Sequence, residues 1–168
     1  GSSLGDSFVL HPAGCPISLV AGIYDPPFDQ EIPLDGVFDS PWALAPGPNG
    51  EMLAAGYRSI QSVSANGSSE KVVGFDTLCC GNTAYGVAMD AGGNIFAIDR
   101  RQIRKITPSG VVTTIAGSND DRVPSQVDGP GAVARFQYPR GIALDKAGNL
   151  YVSDETTLRK ISTDGTVI

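Results

Sequence analysis

The chain has 168 residues, with 12 basic and 18 acidic side chains, a formal charge of −6 and 41% hydrophobic content, enough apolar surface for one folded domain. Its 21 glycines and 12 prolines break the sequence too often for a helix bundle and point to short strands joined by turns. The acidic balance argues against a dedicated nucleic-acid binder, which carries a basic face, and no stretch approaches the roughly 18–20 consecutive apolar residues of a membrane-spanning helix.

The N-terminal third is distinct in charge. Residues 1–57 hold seven acids, including Asp25 and Asp29, and no Lys or Arg precedes Arg58. This flank reads as a solvated acidic surface, the alternative being a docking face for a basic partner or a cation. Its start lacks the basic head and long apolar run of a secretory signal. Within it, Pro16–Gly22 (PISLVAG) has the pattern of a strand and matches Val111–Gly117 (VVTTIAG). Cys15, Cys79 and Cys80 do not form a disulfide framework, because adjacent cysteines rarely pair; a bridge from Cys15 to either of the others is the alternative. Asn66-Gly67-Ser68 fits a glycosylation sequon but reads first as an Asn-Gly hairpin turn.

The informative feature is self-similarity. Residues 84–113 and 139–168 share 11 identities over 30 positions without a gap. The shared pattern runs through Gly86/Gly141, Asp90/Asp145, Asn94/Asn149, Asp99/Asp154 and Arg104-Lys105/Arg159-Lys160. A more divergent copy at 41–74 keeps Ala45, Gly50, Ala54, Ile60 and Gly74, but has Gly47, Glu51 and Gly56 where the next copy has Asp90, Asn94 and Asp99. The longer second spacing places the additional residues in the connection 118–138.

Each copy predicts four short strands. In the last copy the first three are Gly141–Leu144, Leu150–Ser153 and Leu158–Ser162, and the fourth has its model in Val111–Gly117 of the copy before. A small-residue first strand suits the crowded axis of a radial structure, and turns every few residues mark a meander. The unit is a β-propeller blade. The expected organisation is a single all-β domain: an N-terminal lead and outer closing strand at 1–22, then blades at 23–74, 75–117 and 118–168.

The pattern P-R-G-I-A-L-D-x-x-G-N-L-Y-V-S-D-x-x-x-L-R-K-I at 139–161 resembles the NHL repeat of β-propellers. The segment Asp128–Phe136 (DGPGAVARF) resembles the Asp-Gly-rich lead-in of bacterial NHL proteins. The resemblance covers about 41–168 and implies the fold; such propellers serve as scaffolds, sensors and enzymes alike. Three blades are half of a six-bladed ring. The last copy lacks most of its outer strand, and the Pro16–Gly22 strand can supply it to a second chain. The expectation is a homodimer closed by N-terminal strand exchange, the alternative being an excised half of a longer propeller.

Candidate chemistry is sparse. His11 is the only histidine, so a three-histidine zinc site cannot be built in one chain, and the histidine-dependent amidating lyases that resemble NHL propellers are no guide. Propeller lactonases hold a divalent cation with Asp, Glu and Asn. Here Asp90, Asp145, Asp99 and Asp154 recur at strand ends, where structural turns need them, and Asn94 and Asn149 read as residues for positive φ. No cofactor is expected, with Ca²⁺ as the alternative. The remaining candidates lie on the face shared by the fourth-to-first and second-to-third connections: Trp42, Tyr85 and Arg140 at equivalent positions, with Tyr57, Arg58, Arg100 and Arg101. Aromatic and Arg side chains favour recognition, and the connections Ile23–Ser40 and Ser118–Tyr138 wall this face. Trp42 and Tyr85 as channel plugs, and Arg140 as a structural residue, are the alternatives. Some NHL propellers bind RNA on a basic face, but acids such as Asp25, Asp29, Asp120 and Asp121 weaken phosphate binding here. The expected function is non-catalytic binding of a protein or small molecule on this face, the alternative being a metal-dependent lactonase at the channel mouth.

Overall fold

The computed structural model describes residues 40–57, 59–64, 68–74, 83–120 and 126–168. The N-terminal lead with Pro16–Gly22 and His11, the three cysteines, Arg58, the Asn66-Gly67 turn and Asp121 lie outside these residues. Every regular element in them is a strand, and no helix is long and apolar enough to cross a membrane.

Three antiparallel sheets are formed among the described residues. The first runs β1 (Pro41–Pro46), β2 (Met52–Gly56), β3 (Ser59–Val63) and β4 (Ser69–Gly74) in sequence order. The second repeats this with β5 (Ala84–Met89), β6 (Ile95–Asp99), β7 (Gln102–Ile106) and β8 (Val112–Gly117). Then β9 (Gly129–Pro130) precedes β10 (Pro139–Leu144), β11 (Leu150–Asp154), β12 (Thr157–Ile161) and β13 (Thr166–Val167). In this third sheet the order is β10-β11-β12-β13-β9, so the 118–138 connection returns a short fifth strand to the outer edge. The strands match the expected spans within one or two residues.

Packing follows from the alternation of side chains along each strand. On β6, Ile95 and Ala97 face the first sheet and join Leu53, Ala55 and Ile60 in one core. Phe96 and Ile98 face the other way and join Leu150, Val152, Ile161 and Phe136 in a second core. All five β6 residues are therefore buried, as its sequence, apolar on both faces, predicts. β11 departs from that prediction: Leu150 and Val152 are buried, but Ser153 is exposed, because no described sheet covers its other face. At the first strands the backbones approach closely. A Cβ on Gly86 would lie 2.7 Å from the Arg140 carbonyl oxygen, so the position is closed to any larger residue.

The turns between first and second strands show why aspartate recurs. Asp90 Oδ1 accepts the backbone N–H groups of Gly92 and Asn94, and Oδ2 accepts the Asn94 side-chain amide. Asp145 does the same with Ala147 and Asn149. The positive φ expected at Asn94 and Asn149 falls instead on the preceding Gly93 and Gly148, at 79° and 86°; the asparagines are held by the carboxylate bond. The divergent copy solves the same turn in reverse. Glu51, in the asparagine position, folds its carboxylate over Gly47 and accepts the Asn49 N–H, the equivalent of Gly92 N–H. A Cβ on Gly47 would overlap that carboxylate.

Candidate functional site

Each first strand carries a register irregularity near its start, and the residues it displaces are informative. The ladder skips Trp42 in β1, the Tyr85-Gly86 pair in β5 and Arg140 in β10. The three equivalent positions expected at the channel mouth are thus bulge residues. A bulge frees a side chain from the alternation of its strand and re-aims it. The Pro-x-Gly sequence at 139–141 is the local signal of this in the third sheet.

Two of these bulges meet. The Arg140 guanidinium lies over the Tyr85 ring, 4.6 Å from its centroid, a cation–π geometry. Tyr85 is half-buried and Arg140 exposed. Beside them is the two-residue turn between β6 and β7, closed by the Asp99–Gln102 pair. Its first residue, Arg100, has φ of 55°, the left-handed region, as does Glu155 at the equivalent turn of the third sheet, at 53°. Arg101 completes the turn, and its backbone N–H donates to Asn119 Oδ1 at 3.1 Å. Asn119 in turn donates to Gln102 Oε1.

The facing wall is Gln137–Pro139, and a buried carboxylate positions it. Asp154 has no solvent exposure; its Oδ1 accepts the N–H of Gln137 at 2.9 Å and of Tyr138 at 2.7 Å. Arg159, also buried, lies 3.7 Å from Asp154 Oδ2. It donates to the Arg135 and Val127 carbonyls and to Asp128, and stacks on Phe136 at 4.8 Å. Arg159 therefore ties the whole 127–136 connection to the third sheet.

Together these elements enclose an open cleft of about 210 Å³. It brings together Tyr85, Arg100, Arg101 and Arg140 of the expected face, and adds Asn119, Gln137, Tyr138 and Pro139 from the Ser118–Tyr138 connection and the start of β10. Trp42 and Tyr57 do not line it. Trp42 is 63% exposed on its own bulge, and the Tyr57 backbone bridges to Thr83 between the first two sheets. Arg58 lies outside the described residues. Sequence reasoning anticipated the connection as a wall but not Asp154 as the group that holds it. Among the described residues no three of His, Cys, Asp and Glu converge, and Asp90 and Asp145 are occupied by their own turns.

Comparison with known proteins is consistent with this architecture. The NHL repeat family model matches residues 136–159. Teneurin-3 from Danio rerio is 28% identical over 111 residues, 57% of this chain but 4% of the relative's length. Among solved structures, a protein of unknown function from Bacteroides thetaiotaomicron superposes with a TM-score of 0.62 at 20% identity, over 75% of this chain and 34% of its own. A streptogramin B lyase superposes with a TM-score of 0.56 at 16% identity, over 84% of this chain and 42% of its own. At these identities the structural likeness speaks for the fold alone.

Proposed function

We propose that this chain, which carries an NHL repeat at residues 136–159 within an all-β fold of propeller type, acts as a non-catalytic binding module whose ligand sits on the loop face. The observation that carries this is the cleft between the second and third sheets. Residues far apart in sequence, Tyr85, Arg100 and Arg101 on one side and Arg140 on the other, converge there. Bulges and a tight turn aim them. Such side chains are those that binding hot spots favour.

We further propose that the module works as an assembly of two copies, closed by exchange of the N-terminal strand into a six-bladed ring. The blades within each copy would be 23–74, 75–117 and 118–168.

The binding role is tested by fragment screening on the ¹⁵N-labelled full chain, with neutral, cationic and anionic compounds. Compounds of at least one class should shift the Tyr85, Gln137 and Tyr138 amides in a saturable way. A screen in which nothing perturbs these amides would overturn the reading.

A further inference from the structure

The cleft has a definite chemistry, and we infer that it takes a single carboxylate group, presented by a ligand whose body lies outside the cleft beside Tyr138. The inference rests on the binding-module reading and names its ligand class.

Arg140 carries the argument. Its guanidinium is laid against the Tyr85 ring, and among the described residues no hydrogen bond or ion pair to a protein group engages it. A guanidinium set over an aromatic face keeps N–H edges to offer, and these are the groups that receive a carboxylate through two parallel bonds. Arg100, Arg101 and Gln137 line the same cleft. Among the described residues that line the cleft, none is Asp or Glu.

Size and charge narrow the ligand further. About 210 Å³ is below the roughly 300–1,000 Å³ that houses a whole drug-sized molecule, so the cleft suits one terminal group rather than a complete ligand. The rest finds Tyr138, 51% exposed, at the rim. A polyanion is disfavoured. The chain carries a net −6, with seven acids and no base in residues 1–57. An extended phosphate backbone would set many charges against that balance, whereas a single carboxylate sets only one.

The probes are glutarate, a peptide ending in Glu-Glu and its C-terminally amidated Gln-Gln counterpart, titrated onto the labelled full chain at constant ionic strength. Glutarate should bind saturably at the Tyr85 and Tyr138 amides. Arg140→Gln should weaken it at least tenfold, and Arg140→Lys, which keeps the charge but not the paired bonds, at least threefold. Lys146→Gln, an exposed turn residue away from the cleft, should leave it unchanged. Saturable binding of the acidic peptide much tighter than that of glutarate would assign the carboxylate to a polypeptide. Comparable affinities would assign it to a small organic acid.

The inference is overturned if Lys146→Gln and Arg140→Gln weaken glutarate equally, since that is general screening. It is also overturned if glutarate fails to bind while oligouridylate binds with a steep salt dependence. If neutral or cationic fragments occupy the cleft with affinities indifferent to Arg140→Gln, the carboxylate assignment falls while the binding-module reading stands. If no fragment of any class binds there, both fall.

Discussion

At the scale of single residues, one turn shows how chemistry can persist while the residues that supply it change. The carboxylate of Asp90 and Asp145 satisfies N–H groups of the turn that follows. In the first sheet the carboxylate has moved to the far end of the turn, as Glu51, and the vacated position is Gly47. Read by identity, this copy has lost its aspartate and asparagine; read by hydrogen bonds, it has kept one of the bonds they made. Glu51→Ala should therefore destabilise the chain by about 1 kcal/mol, whereas an Ala at an exposed site without such a bond should be close to neutral. Urea unfolding monitored by circular dichroism would separate the two. Asp145 allows a pH prediction. Its pKa is held below the ordinary 3.8 by the Asn149 side-chain amide first and then by the Asn149 N–H, with desolvation opposing them and the Ala147 N–H and Tyr151 hydroxyl adding weaker lowering effects. The folded state thus binds this proton less readily than the unfolded state, so the contribution is fully present above about pH 4 and is lost as pH falls through the depressed value. Asp164, bonded by the Thr166 N–H, behaves alike. Asp145→Asn should lower stability near neutral pH and converge on the parent in acid; parallel unfolding curves across pH 2–7 would contradict this.

At the scale of elements, the third sheet shows where a strand ends and a connection takes over. In the second sheet, Gln102, Ile103 and Arg104 of β7 pair with Gly117, Ala116 and Thr114 of β8. Their equivalents in β12, Thr157, Leu158 and Arg159, have no outer ladder partner among the described residues, because β13 pairs at Ile161 and the backbone bonds of Ile168 reach only Lys160. Leu158 is 71% exposed along that edge, while β9 covers Thr166 and Val167. Any added strand must therefore align with Thr157–Arg159, a more specific address than the copy pattern provided. The connection itself depends on buried charge. Asp154→Asn would present an amide to the Gln137 and Tyr138 N–H donors and leave Arg159 without its buried anion. This should cost about 3 kcal/mol. It should also speed hydrogen exchange at Gln137 and Tyr138 relative to the β6 amides, whereas a uniform effect on all amides would count against a positioning role.

At the scale of the whole molecule, the stacked sheets leave two faces with the character of an interior. On the first sheet Leu44 and Met52 are 68% and 41% exposed, at positions whose equivalents Val87 and Ile95 are buried. On the third, Leu158 stands where Ile103 is fully buried. Repeats that stack only on neighbours leave such ends to be covered. The proposed exchange between two copies, each offering both faces, would cover them with two-fold symmetry. Light scattering should report twice the chain mass of 17.4 kDa, with dissociation or aggregation when residues 1–22 are removed. A stable particle of single-chain mass, indifferent to that truncation, would reject the exchanged dimer.

Much of this was legible in the chain itself. The repeat, the strand order, the aspartate turns and the both-faces-buried β6 all follow from patterns a few residues long, because antiparallel meanders pair neighbours in sequence. The family resemblance at 139–161 rests on the same local pattern. Candidate residues Tyr85, Arg100, Arg101 and Arg140 were likewise placed on one face by repeat position alone. What local pattern could not carry was their meeting. The stack of Arg140 on Tyr85 needs two bulges in different sheets brought side by side, and the cleft wall needs Asp154 to capture N–H groups 16 and 17 positions away. Nor does the sequence of the connection announce β9, a two-residue strand whose pairing comes from residues over 35 positions later. These features are decided by packing at long range, where the partner's position, not the residue's own preference, sets the structure.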